Sequence, residues 1–231
     1  MAGHEVHPHP TVLSDFILGS QDGLVNVLGI LLGLVAANTS EPKLLLVAAL
    51  AALAAESISM GAVAYTTTYA RRQLFLSEVE RERREMATVP EEERNEVRVI
   101  LRDWGYQGEE VEEMLRKIEA KPQAMLDIMM AFELHLAPVA ADQARRSAAL
   151  VGGSTVVGSI IPLVPFLVST KTLVNDAIVS IILSAIMLFL VGWYEARTTL
   201  GSLWASGLRM VTIGLAAGFA GFLIGHFVAI A

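Results

Sequence analysis

Two carboxylates stand inside long apolar stretches of this sequence. Asp22 lies about ten residues into the first stretch, and Glu56 lies near the middle of the second. An ionised carboxylate at the centre of a bilayer costs at least ~2.5 kcal/mol, so such a residue is by default a functional one. Asn26 follows Asp22 by one helical turn and Met60 follows Glu56 by one turn, which places an amide or a thioether beside each acid. These four residues predict a path for a metal cation through a membrane.

The same two acids also predict an exchange of metal ions against protons. Burial favours the protonated form of a carboxyl group, whereas a bound cation favours the ionised form. Metal ions and protons would therefore compete for the oxygens of Asp22 and Glu56, which is the minimal physical basis of antiport. The structural alternative is that each acid is protonated, or is paired with a buried polar neighbour.

A second group of candidate ligands lies in the polar middle of the chain. It comprises three glutamates spaced to share a helix face, two more at i and i+3, and a methionine and a glutamate one turn apart. They are Glu78, Glu82 and Glu85, then Glu93 and Glu96, then Met129 and Glu133. Carboxylates alone suit Mg²⁺ or Ca²⁺ as well as iron, but a thioether favours late first-row metals. The pattern predicts a transition-metal site.

These ligand assignments have plainer alternatives. Glutamates at helical spacing form an ordinary solvated face when arginines balance them, and Arg81, Arg83 and Arg84 are interspersed with the first three. Met129 stands between Met125 and Met130 in a short segment, and methionine most often fills a hydrophobic core. Spacing alone leaves both interpretations open.

The elements that position the first group are membrane-spanning helices. The chain is 54% hydrophobic and 18% charged, against roughly 25% charged residues in soluble domains. Five apolar stretches are long enough, at about 20 residues each, to cross roughly 30 Å of hydrocarbon. They cover approximately residues 13–37, 43–66, 147–168, 174–194 and 206–230.

Charged residues concentrate between the second and third stretches. Residues 71–146 contain 13 of the 17 Lys and Arg, and 17 of the 24 Asp and Glu. Helix-forming segments interrupted at Pro90, Gly105 and Pro122 predict a small helical bundle, and no alternating pattern predicts strands. The sequence thus predicts an all-α integral membrane protein with five transmembrane helices and a helical metal-binding insert. The predicted divisions are a tail at 1–12, two spans at 13–70, the insert at 71–146 and three spans at 147–231.

The distribution of Lys and Arg predicts the orientation in the membrane. The insert carries most of them, so it should be cytoplasmic, with the N-terminus on the same side and the C-terminus on the opposite side. A net charge of −7 argues against nucleic-acid binding, which needs a basic surface. The lack of cysteine excludes disulfides, thiolate metal sites and dithiol redox chemistry.

Five segments of the sequence form a recognisable series: SDFILGSQDGLVNVLGILLGL, SISMGAVAY, GSIIPLVPFL, FLVGWYEARTT and IGLAAGFAGFLIG. Together they resemble the vacuolar iron transporter family, which includes the yeast calcium-cross-complementer type and plant nodulin-like proteins. The resemblance covers nearly the whole chain in order. It implies a homodimer of five-span subunits that moves Fe(II), and often Mn(II), from the cytosol to a storage compartment or the exterior in exchange for protons.

The resemblance also implies roles for particular residues. The translocation residues of the family fall on Asp22 and Met60. Its cytoplasmic metal-binding positions fall on Glu82, Glu85, Glu93, Glu96, Met129 and Glu133. One departure concerns proton coupling: many members place a glutamate shortly after the Ser-Met pair, where this chain has Ala64 and Tyr65, and its acid precedes the pair at Glu56.

We therefore expect a proton-coupled transporter, not an enzyme, that handles Fe(II), Mn(II) and also Co(II) or Zn(II) without a prosthetic group. Its membrane would be the plasma membrane in a prokaryote, and a vacuolar or other organellar membrane in a eukaryote. One alternative is a membrane-anchored metal sensor or storage module, which would have no use for Asp22 and Glu56. The other, a di-iron ferroxidase, lacks the expected Glu-x-x-His pair, since Glu133 and His135 are only two residues apart.

Overall fold

The structure is a computed structural model that describes residues 10–38, 41–168 and 172–230. The described residues form helices joined by short turns, with no strand among them. They divide into two compact units, which we call unit 1 (Met1–Tyr65 with Arg145–Ala231) and unit 2 (Thr66–Ala144). The N-terminal histidines His4, His7 and His9 lie outside the described residues.

The described residues form eight α-helices and one π-helical turn. In chain order they are α1 (Pro10–Ala36), α2 (Pro42–Thr88), α3 (Pro90–Asp103), α4 (Glu109–Glu119), α5 (Pro122–Ile128), the π-turn (Met129–Glu133), α6 (Gln143–Val168), α7 (Leu173–Thr198) and α8 (Leu203–Ile230). Of these, α1, α2, α6, α7 and α8 are long and apolar enough to cross a membrane. This is the architecture of an all-helical integral membrane protein.

Proline and glycine set several helix boundaries. Pro42, Pro90 and Pro122 each occupy the first position of a helix, where the missing N–H has no intrahelical partner to lose. The turn between α3 and α4 contains Gly105 and Gly108 with φ of 95° and 55°, values that glycine adopts at no steric cost. The break that the sequence predicts before Pro90 is confirmed, and α2 runs on to that break as one helix of 47 residues.

The core of unit 1 is built around α1. One apolar face of α1 packs in a cluster with residues of α2, α6 and α7. The buried members of this cluster are Val27, Leu28, Leu31, Leu32, Leu45, Ala49, Leu163, Phe166 and Ala177. Because lipid is as apolar as these side chains, tight packing and close backbone contact provide the association energy between the helices.

Glycines on α1 bring two neighbouring helices into backbone contact. A Cβ on Gly33 would lie 3.0 Å from the carbonyl oxygen of Gly221 on α8, and a Cβ on Gly225 would overlap the backbone of Gly33. On another face of α1, a Cβ on Gly23 would meet the backbone of Thr155 in α6. The spacing of small residues thus lets α1 contact α8 and α6 without side chains between the backbones.

Unit 2 is a small bundle with its own apolar core. The residues of this core come from α3, α4, α5 and the π-turn, and each is at most 4% exposed. They are Val97, Leu101, Val111, Leu115, Met125 and Met129. Two ion pairs join α3 to α4 on the outside: Arg94 Nε donates to Glu119 at 2.9 Å, and Arg98 Nε donates to Glu112 at 2.8 Å.

We predict that Gly225→Ala destabilises the protein, because the new Cβ overlaps the backbone of Gly33 and forces α8 away from α1. Overpacking of this kind costs typically about 1–3 kcal/mol. Gly153→Ala is the matched control, since a Cβ on this helical glycine meets nothing within 4 Å. Thermal unfolding in detergent should show a lower midpoint for Gly225→Ala alone; equal midpoints for the two variants would contradict the α1–α8 contact.

Candidate metal sites

The first candidate site lies between α1 and α2 in unit 1. The amide nitrogen of Asn26 donates to Oδ1 of Asp22 at 3.3 Å, one turn away on α1. The same nitrogen donates to Oε1 of Glu56, which lies on α2. A single amide therefore holds two carboxylates together that are far apart in sequence.

Burial differs among the members of this site. Asp22, Glu56 and Met60 are half-buried, whereas Asn26 is exposed. The second oxygen of Glu56, Oε2, is buried and has no hydrogen-bond partner among the described residues. Met60 lies one turn beyond Glu56 on the same helix. The structure thus gathers Asp22, Asn26 and Glu56 by direct contact and places Met60 next in line along α2.

The chemistry of this site is that of a cation ligand set. Two carboxylates held by one amide repel each other when both are ionised, and a positive charge between them removes the repulsion. The partnerless Oε2 of Glu56 is an acceptor with unused capacity. Oxygen ligands with a thioether nearby suit a divalent transition metal better than Mg²⁺ or Ca²⁺.

The second candidate site lies in unit 2, where α2 and α3 each contribute glutamates. Carboxylate oxygens of Glu82, Glu85 and Glu93 all lie within 4.8 Å of one another, a spacing that can hold a metal ion. Glu82 and Glu93 are only 3% exposed, although acidic side chains are rarely buried without partners. Oε2 of each is buried with no hydrogen-bond partner among the described residues.

In this cluster, burial and electrostatic repulsion among five of the predicted ligands raise the pKa of three of them. Burial raises the pKa of Glu93 to about 7, and the charges of Glu96, Glu82, Glu85 and Glu133 add to the shift. Burial likewise raises the pKa of Glu133 to about 7, with Glu96 and Glu82 as the next contributors. The pKa of Glu82 is raised for the same reasons, burial first and then Glu85 and Glu96. At neutral pH a fraction of this cluster therefore carries protons.

Glu78 lies at the edge of the cluster and is engaged by an arginine. Arg81 donates to Glu85 Oε1 at 3.1 Å and to Glu78 Oε2 at 3.5 Å. Arg83 and Arg84 instead turn to Glu80, the first to its carboxylate and the second to its carbonyl. The balanced face that the sequence allows as an alternative is thus present at Glu78, Glu80 and Glu85. Glu82 and Glu93 have no ion pair with an arginine among the described residues, and each keeps a buried oxygen without a partner there.

The π-turn Met129–Glu133 is a feature that the sequence analysis missed. Its i+5 bond runs from Leu134 N to Met129 O at 3.1 Å, and His135 follows with a φ of 55°. Met129 is fully buried within the core of unit 2, in the packing role that methionine commonly has. Glu133, at the other end of the turn, is exposed as a whole residue, but its carboxyl group is desolvated and lies beside Glu96. The sulfur of Met129 as a metal ligand stays a prediction.

Comparison with known proteins extends over both candidate sites. A family model described as the VIT family matches residues 13–226. Vacuolar iron transporter 1 of Arabidopsis thaliana is 32% identical over 225 residues, covering 96% of this chain and 89% of that protein. Vacuolar iron transporter 1 of Eucalyptus grandis is 33% identical over 214 residues, covering 91% and 84% of the two chains. Protein CCC1 of Saccharomyces cerevisiae is 27% identical over 224 residues, covering 93% of this chain and 69% of that protein.

We predict that Glu93→Gln stabilises the metal-free protein at pH 8 but not at pH 4.5. The folded state raises the pKa of Glu93 from 4.5 to about 7, so folded protein holds more protons than unfolded protein in that window and loses stability as the pH rises through it. Glutamine cannot ionise, which removes this loss, on the order of 2 kcal/mol.

The control for this prediction is Glu92→Gln, the same change on the exposed neighbouring position of α3. Thermal unfolding of both variants and wild type in a chelator, from pH 4.5 to 8, is the measurement. If the gain in thermal stability from Glu93→Gln does not increase with pH, that result would contradict the charge crowding around Glu93.

Proposed function

This chain belongs to the VIT family, and we propose that it carries Fe(II), with Mn(II) as a second substrate, across a membrane. The observation that carries the proposal is the contact of Asp22 and Glu56, on two apolar helices, with the single amide of Asn26. Carboxylates inside membrane helices serve translocation and have no use in an anchor. The names of the relatives, vacuolar iron transporters, support iron as the substrate.

Capture of the metal precedes its translocation. The glutamate cluster of unit 2 concentrates the cation, because its buried and crowded carboxylates gain stability when a positive charge binds them. The distribution of Lys and Arg along the sequence puts this unit and the N-terminus in the cytoplasm and the C-terminus on the other side. Transport therefore runs from the cytosol outward or into an organelle.

Protons move against the metal. Glu93 and Glu133 have pKa values raised to about 7, so a cation that enters the cluster at neutral pH displaces protons from them. In the membrane helices, the same competition takes place at Asp22 and Glu56. Glu56 is assigned the coupling step, because its Oε2 is buried and has no hydrogen-bond partner among the described residues.

The membrane site is completed by a second copy of the chain. Asn26 is exposed on unit 1 although its amide binds both carboxylates. In an isolated subunit this polar side chain would face hydrocarbon, which is unfavourable for a group with hydrogen-bonding capacity left over. A homodimer that covers Asn26 removes this cost.

We predict that Glu82→Ala combined with Glu85→Ala lowers transport without abolishing it, because these residues concentrate metal and do not form the barrier-crossing site. Metal uptake by proteoliposomes at matched protein content is the measurement. The control is Glu109→Ala with Glu110→Ala, two exposed glutamates in the first turn of α4. Complete loss of flux in a normally inserted Glu82/Glu85 variant would contradict this division of roles.

We predict that Asp22→Asn abolishes metal transport while the protein still inserts and folds. The amide is nearly isosteric and uncharged, so it relieves the cost of burying a carboxylate but cannot neutralise a cation. Proteoliposome uptake and thermal stability in detergent are measured together, with stability expected to be unchanged or higher.

The matched control for Asp22→Asn is Asp176→Asn, which makes the same change at a buried carboxylate in the first turn of α7 and should keep transport. Loss of function in proportion to loss of stability would make Asp22 a structural residue. Wild-type flux from Asp22→Asn would favour the alternative function, a membrane-anchored metal sensor or storage module.

A further inference from the structure

A seam of small hydroxyl residues runs through the interior of unit 1, where α1, α6 and α7 meet. Each of its members is at most 6% exposed, although serine and threonine have polar groups that lose water on burial. The seam consists of Ser20 on α1, of Ser154, Thr155 and Ser159 on α6, and of Ser180 and Ser184 on α7.

Four of these hydroxyls have an acceptor. Ser20 donates to the carbonyl of Phe16 at 2.7 Å, within its own helix. Thr155 and Ser154 both donate to the carbonyl of Val151, at 2.8 and 3.0 Å. Such bonds to a carbonyl three or four residues back are the usual solution for a hydroxyl in a membrane helix.

The fourth bond crosses from one helix to another. Ser180 of α7 donates to the carbonyl of Pro162 in α6 at 2.7 Å. The two helices follow each other in the chain and run in opposite directions, so this bond fixes which residues of α6 and α7 lie at the same depth.

Ser159 and Ser184 differ from the other four. Both are 0% exposed, and the Oγ atom of each has no hydrogen-bond partner among the described residues. Buried polar side chains in native proteins nearly always have a partner, in the protein or in ordered water. Two partnerless hydroxyls in one seam therefore point to a bound molecule.

The two hydroxyls lie at nearly the same depth. Ser159 precedes Pro162 by three residues, which is about 4.5 Å along α6, and Ser184 follows Ser180 by four residues, about 6 Å along α7. Since the helices are antiparallel, both displacements point the same way from the bond between Ser180 and Pro162. The two levels agree to within about 2 Å.

The carbonyl of Gly158 is a third polar group at the same depth as the hydroxyls of Ser159 and Ser184. Pro162 lies inside α6 and has no N–H to donate to the carbonyl of Gly158, four residues before it. Gly158 is buried and directly precedes Ser159. A broken helical bond of this kind is tolerated in a membrane where protein groups or ordered waters satisfy the freed carbonyl.

Gly23 of α1 lets that helix approach α6 closely at this level. A Cβ on Gly23 would lie 2.6 Å from Oγ of Ser159, so any larger residue would displace the hydroxyl. Gly23 is the neighbour of Asp22 in the sequence, but it faces α6, whereas Asp22 contacts Asn26. The level of Ser159 and Ser184 is therefore also the level of the carboxylate site, on a different face of α1.

We propose that an ordered water molecule binds at this level, between the hydroxyls of Ser159 and Ser184 and the carbonyl of Gly158. A buried water takes two to four polar partners, and these three groups meet that requirement. Three neutral oxygens fall short of the six or more ligands that a hard divalent cation takes. The water joins α6 to α7 at the break made by Pro162, and its presence does not depend on the proposed transport.

A double-mutant cycle on the full-length protein tests the proposal. Ser159→Ala and Ser184→Ala should each lower the thermal unfolding midpoint in detergent by about 2–4 °C, because each leaves the water with one partner fewer. The double variant should lose less than the two single losses together, since the groups bind one molecule. Ser57→Ala is the control: its hydroxyl bonds the carbonyl of Leu53 in its own helix, and the change should have little effect.

The opposite pattern overturns the proposal. In a dry seam, removal of a partnerless hydroxyl relieves a burial cost, so the single variants would be as stable as wild type or more stable, and their effects would add. X-ray hydroxyl-radical footprinting of wild type provides a second test that needs no variant. Bound water predicts rapid labelling at Leu163, which is 1% exposed and lies one turn beyond Ser159 on α6; labelling no faster than at equally buried Leu101, in the apolar core of unit 2, contradicts it.

Discussion

Burial of carboxylates without full pairing is the constraint on which this structure depends. Glu56 in unit 1, and Glu82 and Glu93 in unit 2, each have a buried oxygen that lacks a hydrogen-bond partner among the described residues. Such groups destabilise the metal-free protein at neutral pH, because desolvation opposes their ionised form. A divalent cation reverses the sign of that contribution, and we propose that the same residues that weaken the empty protein bind the transported metal.

The scaffold has to withstand this cost, and it does so through close helix contact. In unit 1, glycines on two faces of α1 bring its backbone against α8 and α6, so the helix that carries Asp22 and Asn26 is held on both sides. In unit 2, a compact core that includes Val97 and Met129 supports the helix that carries Glu93. Rigid helices keep acids that repel each other close together. Flexible elements would let those acids move apart.

The positions of the helices and of the acidic residues follow from the sequence. The residues that contact those acids are harder to predict from it. Spans, the continuous α2 and the break before Pro90 follow from apolar length and proline placement, and the spacing of Glu82 and Glu85 follows from helical periodicity. The shared amide of Asn26 depends on how α1 packs against α2, which no local pattern encodes. The π-turn at Met129 was missed for a related reason: its extra residue is selected by tertiary packing, and single-turn π segments have no strong sequence signal.

Simultaneous recording of metal and proton movement distinguishes antiport at these carboxylates from uncoupled metal transport. Proteoliposomes containing a luminal pH indicator are given Fe(II) anaerobically under an imposed pH gradient, with wild type and Glu56→Gln compared at matched protein content. We expect wild-type metal influx to be accompanied by proton efflux and to follow the gradient, whereas Glu56→Gln should carry metal without following it. Identical coupling in the two proteins, or wild-type metal flux with no proton movement, would contradict the assignment of antiport to the carboxylates held by Asn26.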